Sequence, residues 1–188
     1  MQGKMIIFSA PSGSGKTTIV KWLLSEGLPL EFSVSATSRS PRSGEVNGKD
    51  YYFLSADEFK NKITNDELIE WQEVYTNKFY GTFKSEITRI WNSGKHVIFD
   101  VDVLGGRNLK SLFGDTALSI FIMPPSVEEL EKRLRGRNTD PEDIIKQRID
   151  KAVYEMSFAK DFDKIIINDN LETAQLEAYK TIKKFVGI

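Results

Sequence analysis

Met5-Ile6-Ile7-Phe8-Ser9-Ala10-Pro11-Ser12-Gly13-Ser14-Gly15-Lys16-Thr17-Thr18 joins an apolar run to a Gly/Ser-rich loop and then to a helical pattern. Lys4 to Ser9 reads as a short buried strand. Gly15 to Glu26 reads as a helix with Ile19, Val20, Leu23 and Leu24 on one face, stopped by Gly27 and Pro29. A strand, a glycine loop and a helix with Lys-Thr at the junction is the context of a phosphate-binding P-loop. Consecutive backbone N–H groups can wrap phosphate oxygens there, and the helix N-terminus adds positive potential. Gly13 and Gly15 permit the tight wrap. Lys16 would reach the β- and γ-phosphates of a nucleoside triphosphate, and the Thr17 hydroxyl would ligate Mg²⁺. The strict pattern begins with Gly where this chain has Ala10, but the Ser-Gly-Ser-Gly-Lys-Thr run that follows is intact.

Composition excludes several alternatives. The 188 residues are enough for one substantial core with inserted subdomains, and a 28% charged, 40% hydrophobic chain is ordinary for a globular protein. A net charge of −1 gives no global field for nucleic acid or anionic lipid. There is no cysteine, so neither a disulfide framework nor a thiolate metal site is available, and the single histidine, His96, cannot build a histidine cluster. Apolar stretches such as Ile120-Phe121-Ile122-Met123 are too short to span a bilayer, and no signal-peptide pattern precedes the glycine loop. A cytoplasmic protein is expected, with no nucleic-acid or membrane partner; a homo-oligomer is left open.

Further along, Phe32, Val34 and Ala36 alternate with Ser33, Ser35 and Thr37, which predicts one half-buried strand. Arg39 to Asp50 reads as loop and Tyr51 to Leu54 as a strand. Ser55 and Glu58 form a capping-box pair. Leu68 to Tyr75 and Phe79 to Thr82 bracket a hairpin turn at Thr76-Asn77-Lys78, and Ser85 to Asn92 is helical up to Gly94. His96 to Asp102 is a strong strand, followed by a short helix after Gly105-Gly106. Ala117 to Met123 is another strand, stopped by Pro124-Pro125. Ser126/Glu129 and Thr139/Glu142 repeat the capping-box spacing, the first opening a helix to Arg137. The helix after Pro141 carries Ile145, Ile149, Ala152, Val153 and Met156 on one side. Ile165 to Asn168 is a last strand, before a helix through Leu171, Ala174, Ala178, Ile182 and Phe185. Strand and helix alternate at the flanks, while the middle is mixed and strand-rich. That predicts an α/β chain with a parallel sheet flanked by helices and an inserted subdomain.

The run Phe32-Ser33-Val34-Ser35-Ala36-Thr37-Ser38-Arg39-Ser40-Pro41-Arg42-Ser43-Gly44-Glu45-Val46-Asn47-Gly48-Lys49-Asp50-Tyr51 resembles the GMP-binding segment of guanylate kinases. The likeness continues through Ile69-Glu70-Trp71, Phe79-Tyr80-Gly81-Thr82, Asp100-Val101-Asp102, Pro124-Pro125-Ser126 to Arg137, and Asn168-Asp169, and so covers nearly the whole chain. It implies a P-loop NTPase fold with a core over 1–31, 95–125 and 160–188. A mixed α/β GMP-binding insertion over about 32–94 and a helical lid over about 126–159 complete it. It also implies transfer of the γ-phosphoryl group of ATP to GMP, and to dGMP. The ATP-binding residues would be Ala10, Pro11, Ser12, Gly13, Ser14, Gly15, Lys16, Thr17 and Thr18, with Arg133, Arg137 and Asn168.

Arg39 and Arg42 can bind a phosphate through bidentate charge-assisted bonds, and Tyr51 and Tyr80 can donate phenolic hydrogen bonds to it. Guanine presents N1–H and a 2-amino group side by side, a pair that one carboxylate accepts. Glu70 matches that position in the family, with Ser35 and Thr82 as hydroxyl contacts. Asp100 and Asp102 lie at the end of a strand, where ligands of open α/β sheets bind. Asp100 is a candidate for the Mg²⁺ shell through water, or for contacts to GMP; Asp102 is either its partner or the cap of the next helix. Arg133 and Arg137 share a helical face, and with Arg148 they match the lid arginines. With Lys16, Arg39 and Arg42 they form the expected catalytic set. Two rivals are an interaction module of the same fold that turns over nothing, and a P-loop kinase for another small phosphorylated acceptor. The intact P-loop argues against the first, and Ser35 with Glu70 against the second.

Overall fold

The computed structural model describes residues 3–136 and 141–188. The chain runs β1 (Met5–Ser9), α1 (Lys16–Ser25), β2 (Leu30–Phe32), β3 (Ala36–Thr37), β4 (Tyr52–Phe53), α2 (Ala56–Thr64), β5 (Leu68–Tyr75) and β6 (Lys78–Phe83). It continues through α3 (Lys84–Asn92), β7 (His96–Asp100), α4 (Val103–Phe113), β8 (Ala117–Met123), α5 (Val127–Gly136), α6 (Glu142–Met156), β9 (Lys164–Ile167) and α7 (Leu171–Val186). One sheet has the order β2-β7-β1-β8-β9, with β1–β8 and β8–β9 parallel; the other has the order β4-β3-β6-β5. The residues separate into two compact units. Pro29–Val97 form one, and Lys4–Leu28 with Ile98–Ile188 form the other.

In the second unit β1 is buried along its whole length, as an apolar run in a parallel sheet must be. Helix α4 packs on β1 and β8, α1 on β1, and α7 on β9. Helix α4 begins earlier than the sequence pattern suggests and contains Gly105-Gly106 instead of following them. The reason is proximity: a Cβ on Gly106 would lie 2.5 Å from the Ser9 hydroxyl and 3.2 Å from the Phe162 ring. Only a residue without a side chain lets this turn of helix lie so close to β1 and its neighbours.

Helices α5 and α6 form a pair around Leu130, Leu134, Ile145 and Ala152. Ser126 caps α5 by accepting from Glu129 N at 3.1 Å, yet the Glu129 carboxylate takes Arg133 instead of closing the box. Thr139 lies outside the described residues, and Glu142 pairs with Arg135. On α6, Val153 is 51% exposed while Glu155 is 7% exposed. The expected apolar side is kept at Ile145, Ile149, Ala152 and Met156, while Val153 turns outward. Ile145, Ala152 and Glu155 face inward at spacings of seven and three, which are also helical.

The first unit is built on Phe59, Phe79, Ala36 and Leu68, with the Phe59 and Phe79 rings stacked 5.4 Å apart. Ser55 and Glu58 form a complete capping box on α2. The β5–β6 turn contains only Thr76 and Asn77, because Lys78 already pairs with Tyr75 and Asn77 takes the left-handed conformation at φ 59°. The single strand expected over 32–37 is two: β2 belongs to one sheet and β3 to the other. Its polar residues do not all face solvent. Ser33 and Thr37 are buried, Thr37 Oγ1 donates to Phe79 O at 3.0 Å, and Val34 N donates to the Glu86 carboxylate instead of a neighbouring strand.

Because Gly106 sets the distance between α4 and β1, Gly106→Val should lower the unfolding free energy by about 1–3 kcal/mol. Urea denaturation measures this; an unchanged midpoint would show that the contact is not tight.

Candidate active site

The loop from Ala10 to Gly15 leaves the buried strand β1 and closes with Gly13 at φ 97° and Gly15 at φ 89°. Gly15 is the N-cap of α1. It offers no side-chain cap, and no acidic residue occupies the first turn, so the helix-end amides are available to an anion. Gly15 is required twice over. Its φ is left-handed, and a Cβ there would stand 2.3 Å from Asn168 Nδ2.

Asn168 follows β9 and is buried. Its Nδ2 donates to Ser14 O at 2.7 Å, across 154 residues of sequence. Its own carbonyl accepts from Arg133 Nη1 at 3.0 Å, and Arg133 Nε is held by Glu129 at 3.1 Å. Arg148 Nη1 donates to Ser12 Oγ at 3.3 Å. Lys16 ion-pairs with Asp100 at the end of β7 and donates to Val101 O at 3.1 Å. The second unit thus gathers Lys16, Asp100, Arg133, Arg148 and Asn168 at one loop. Thr17 and Thr18 are exposed on the first turn of α1. A cleft of about 400 Å³ lies beside them, lined by Gly13, Gly15, Thr18, Arg133, Asn168 and Asp169 among others, large enough for a small organic ligand. Arg137 lies outside the described residues. Asp102 is a helix cap: its Oδ1 accepts from Gly105 N at 2.8 Å.

The first unit gathers a different set. Strand register places Glu70 opposite Thr82, whose buried hydroxyl donates to Glu70 Oε1 at 2.8 Å. Arg39 forms two bonds of 2.7 Å to Glu45, and its guanidinium lies 4.9 Å from the centre of the Tyr51 ring. Tyr51 and Tyr80 meet edge to face at 6.2 Å. Glu45 also accepts from Arg42 N at 2.7 Å. The Arg39 side chain and the Arg42 amide together pull the Glu45 carboxyl down to about 2. The Arg42 side chain is exposed, and Ser35 is half-buried, its carbonyl accepting from Tyr52 N at 2.9 Å.

A sequence model of the guanylate kinase family matches residues 2–186. The chain belongs to the guanylate kinase family. It is 56% identical over its whole length to a guanylate kinase of Bacteroides fragilis, covering 92% of that protein. It is 52% identical to one of Porphyromonas gingivalis, with 98% of each chain covered. The crystal structure of guanylate kinase from Anaplasma phagocytophilum superposes with a TM-score of 0.79 at 30% identity, over 98% of this chain and 86% of that one. The chain is accordingly an enzyme, with the P-loop NTPase fold typical of guanylate kinases. Among the described residues no helix is long and apolar enough to cross a membrane.

The sequence pattern assigns no role to Glu45 or Glu155. Glu45 sits in a Gly/Ser/Arg loop where a carboxylate reads as solvated, and only its two arginine partners reveal it. Glu155 is buried, with Lys151 at 3.7 Å and with Lys16 and Asp102 within electrostatic reach. Burial pushes its carboxyl above the ordinary value of 4.5, opposed by the two lysines. In the unfolded chain it titrates normally. The stability from its extra proton is therefore complete below 4.5 and is lost as pH rises through the higher folded value. Glu155→Gln has no proton to lose, so its stability in urea should gain on wild type as pH is raised from about 4 to 7. Parallel pH curves would contradict the assignment.

Proposed function

We propose that this enzyme transfers the γ-phosphoryl group of ATP to GMP, and to dGMP, giving ADP and GDP in the cytoplasm. The observation that carries the acceptor is Glu70, fixed by Thr82 in the register of β5 and β6. A carboxylate is an acceptor-only group with two oxygens, the chemistry that guanine N1–H and the 2-amino group require. Adenine offers neither donor, and its N1 lone pair would oppose the charge. Arg39, Arg42, Tyr51 and Tyr80 are the donors for the acceptor phosphate, with Ser35 on the base. In this reading residues 32–94 are the GMP-binding insertion and 126–159 the lid.

Mg²⁺ favours hard oxygen donors and keeps several waters, so it takes one or two protein oxygens plus substrate phosphates. Thr17 at the start of α1 and Asp100 at the end of β7 are such donors. Among the described residues no group of three or more His, Cys, Asp or Glu forms a protein cage. Thr17 and Asp100, the latter paired with Lys16, offer oxygen donors of that kind and would hold the ion, Asp100 through water. When bound, Mg²⁺ supplies positive charge to the ATP phosphate oxygens. The acceptor oxygen is already anionic, so no general base is needed and catalysis rests on positioning and charge. Lys16 and the backbone N–H groups of the loop and the first turn of α1, Pro11 having none, would hold the β- and γ-phosphates. Arg133, Arg137 and Arg148 balance charge as the phosphoryl group moves, and closure of the lid would exclude water that otherwise hydrolyses ATP.

A site built to hydrogen-bond a base rejects one lacking those donors by about 10⁴. Glu70→Gln should therefore collapse much of the GMP/AMP ratio of kcat/KM. Arg42→Ala should weaken both acceptors and leave the ratio near wild type, because phosphate contacts carry no base information. An unchanged ratio in Glu70→Gln would remove Glu70 from base recognition.

A further inference from the structure

Glu86 lies in the first turn of α3, 3% exposed, and none of the steps above uses it. Its carboxylate accepts four hydrogen bonds. Tyr52 Oη donates to Oε1 at 2.9 Å and Val34 N to Oε2 at 3.1 Å. Arg89 spans both oxygens, from Nε at 2.9 Å and Nη2 at 3.1 Å. Four donors saturate a carboxylate. Burial raises its pKa, but Arg89, the Val34 amide and the Tyr52 hydroxyl outweigh burial and hold it below the ordinary glutamate value. Arg89 is itself anchored by Glu31, which also takes Lys95 at 2.9 Å.

Two of the donors stand next to residues of the acceptor site. Val34 precedes Ser35, and Tyr52 follows Tyr51. Tyr52 N also donates to Ser35 O at 2.9 Å, so the two segments are tied to each other as well as to Glu86. Neither has a long strand to hold it, since β3 and β4 are two residues each. The Tyr52 ring packs edge-on against Phe83, at 5.5 Å, just before α3 begins.

We propose that Glu86 is a positioning residue for the acceptor nucleotide, fixing Val34 and Tyr52 so that Ser35 and Tyr51 present their hydroxyl groups to it. The proposal rests on the assignment of Ser35 and Tyr51 to the acceptor site. Glu86 touches no substrate; it replaces the strand ladder that this stretch lacks. Its loss would then be felt by the acceptor and not by ATP.

The test uses the full-length enzyme with Tyr52→Phe, Glu86→Gln and the double variant, at a temperature well below melting. Steady-state kinetics is measured with each substrate varied, alongside equilibrium binding of GMP and thermal melting. Glu86→Gln should raise KM and Kd for GMP by about 10-fold, the size of effect that outer-shell partners have at metal sites, while KM for ATP stays within about twofold. Tyr52→Phe, which keeps the ring and removes one donor, should shift the same parameters in the same direction by less. The double variant should be no worse than Glu86→Gln, because both act through one unit. If Glu86→Gln does not fold, the GMP-against-ATP split in Tyr52→Phe decides alone. Unchanged GMP binding in folded variants, or equal loss toward GMP and ATP, overturns the proposal. A wild type that turns over a different monophosphate overturns the GMP reading alone. Glu86 is then judged by the same split measured on that acceptor.

Discussion

Backbone amides can surround a phosphate only if the chain turns tightly while still joined to something rigid. The loop over residues 10–15 meets that constraint with two left-handed glycines between a fully buried strand and an uncapped helix. The sheet serves this loop. Strands β1, β8 and β9 run side by side, so the residue after β9 can reach back to the carbonyl of Ser14 and leave no room for a side chain on Gly15. Arg133 is joined to the same point through the Asn168 carbonyl, and Lys16 is held at the end of β7. Residues far apart in sequence thus converge because parallel strands end together at one sheet edge.

Carboxylates do distinct work in this protein, and their partners decide which. Asp102 meets a helix-end amide and is structural. Asp100 meets a lysine beside the phosphate loop. Glu45 takes a whole guanidinium and one amide, the same donors a phosphate would take, and so keeps Arg39 oriented on the Tyr51 ring. Glu86 is saturated by four donors and is charged despite burial. Glu155 has Lys151 beside it, but burial outweighs that pairing and holds its proton to higher pH. Residue type alone separates none of these cases.

Much of the fold was legible because its signals are local. The phosphate loop is contiguous, the Ser55/Glu58 box closes within one helical turn, and the strands at 5–9 and 117–123 are continuous apolar runs. What sequence obscured depended on tertiary partners. The stretch 32–37 alternates like one strand, yet Ser33 and Thr37 are buried and the Val34 amide leaves the ladder for Glu86. On α6 the apolar side packs on α5 through Ile145, Ile149 and Ala152 as its spacing indicates, but the sequence did not show that Glu155 would be buried and Val153 exposed. The Gly105-Gly106 pair reads as standing before its helix until Ser9 and Phe162 are seen against Gly106. Among candidate site residues, Arg133, Arg148, Asn168 and Lys16 converge on the loop, and Arg39, Tyr51, Tyr80, Glu70 and Thr82 cluster in the other unit. The choice left open for Asp102 falls to the helix cap.

The proposed reaction needs a P-loop donor site and a guanine-reading acceptor site in one polypeptide. ADP release by the purified wild-type enzyme with Mg·ATP, followed across GMP, dGMP, AMP, UMP and dTMP, tests it most directly. Rapid ADP formation is expected with GMP and dGMP, and only background release with the other three. Equal turnover of AMP, or ADP release that no monophosphate stimulates, would contradict it.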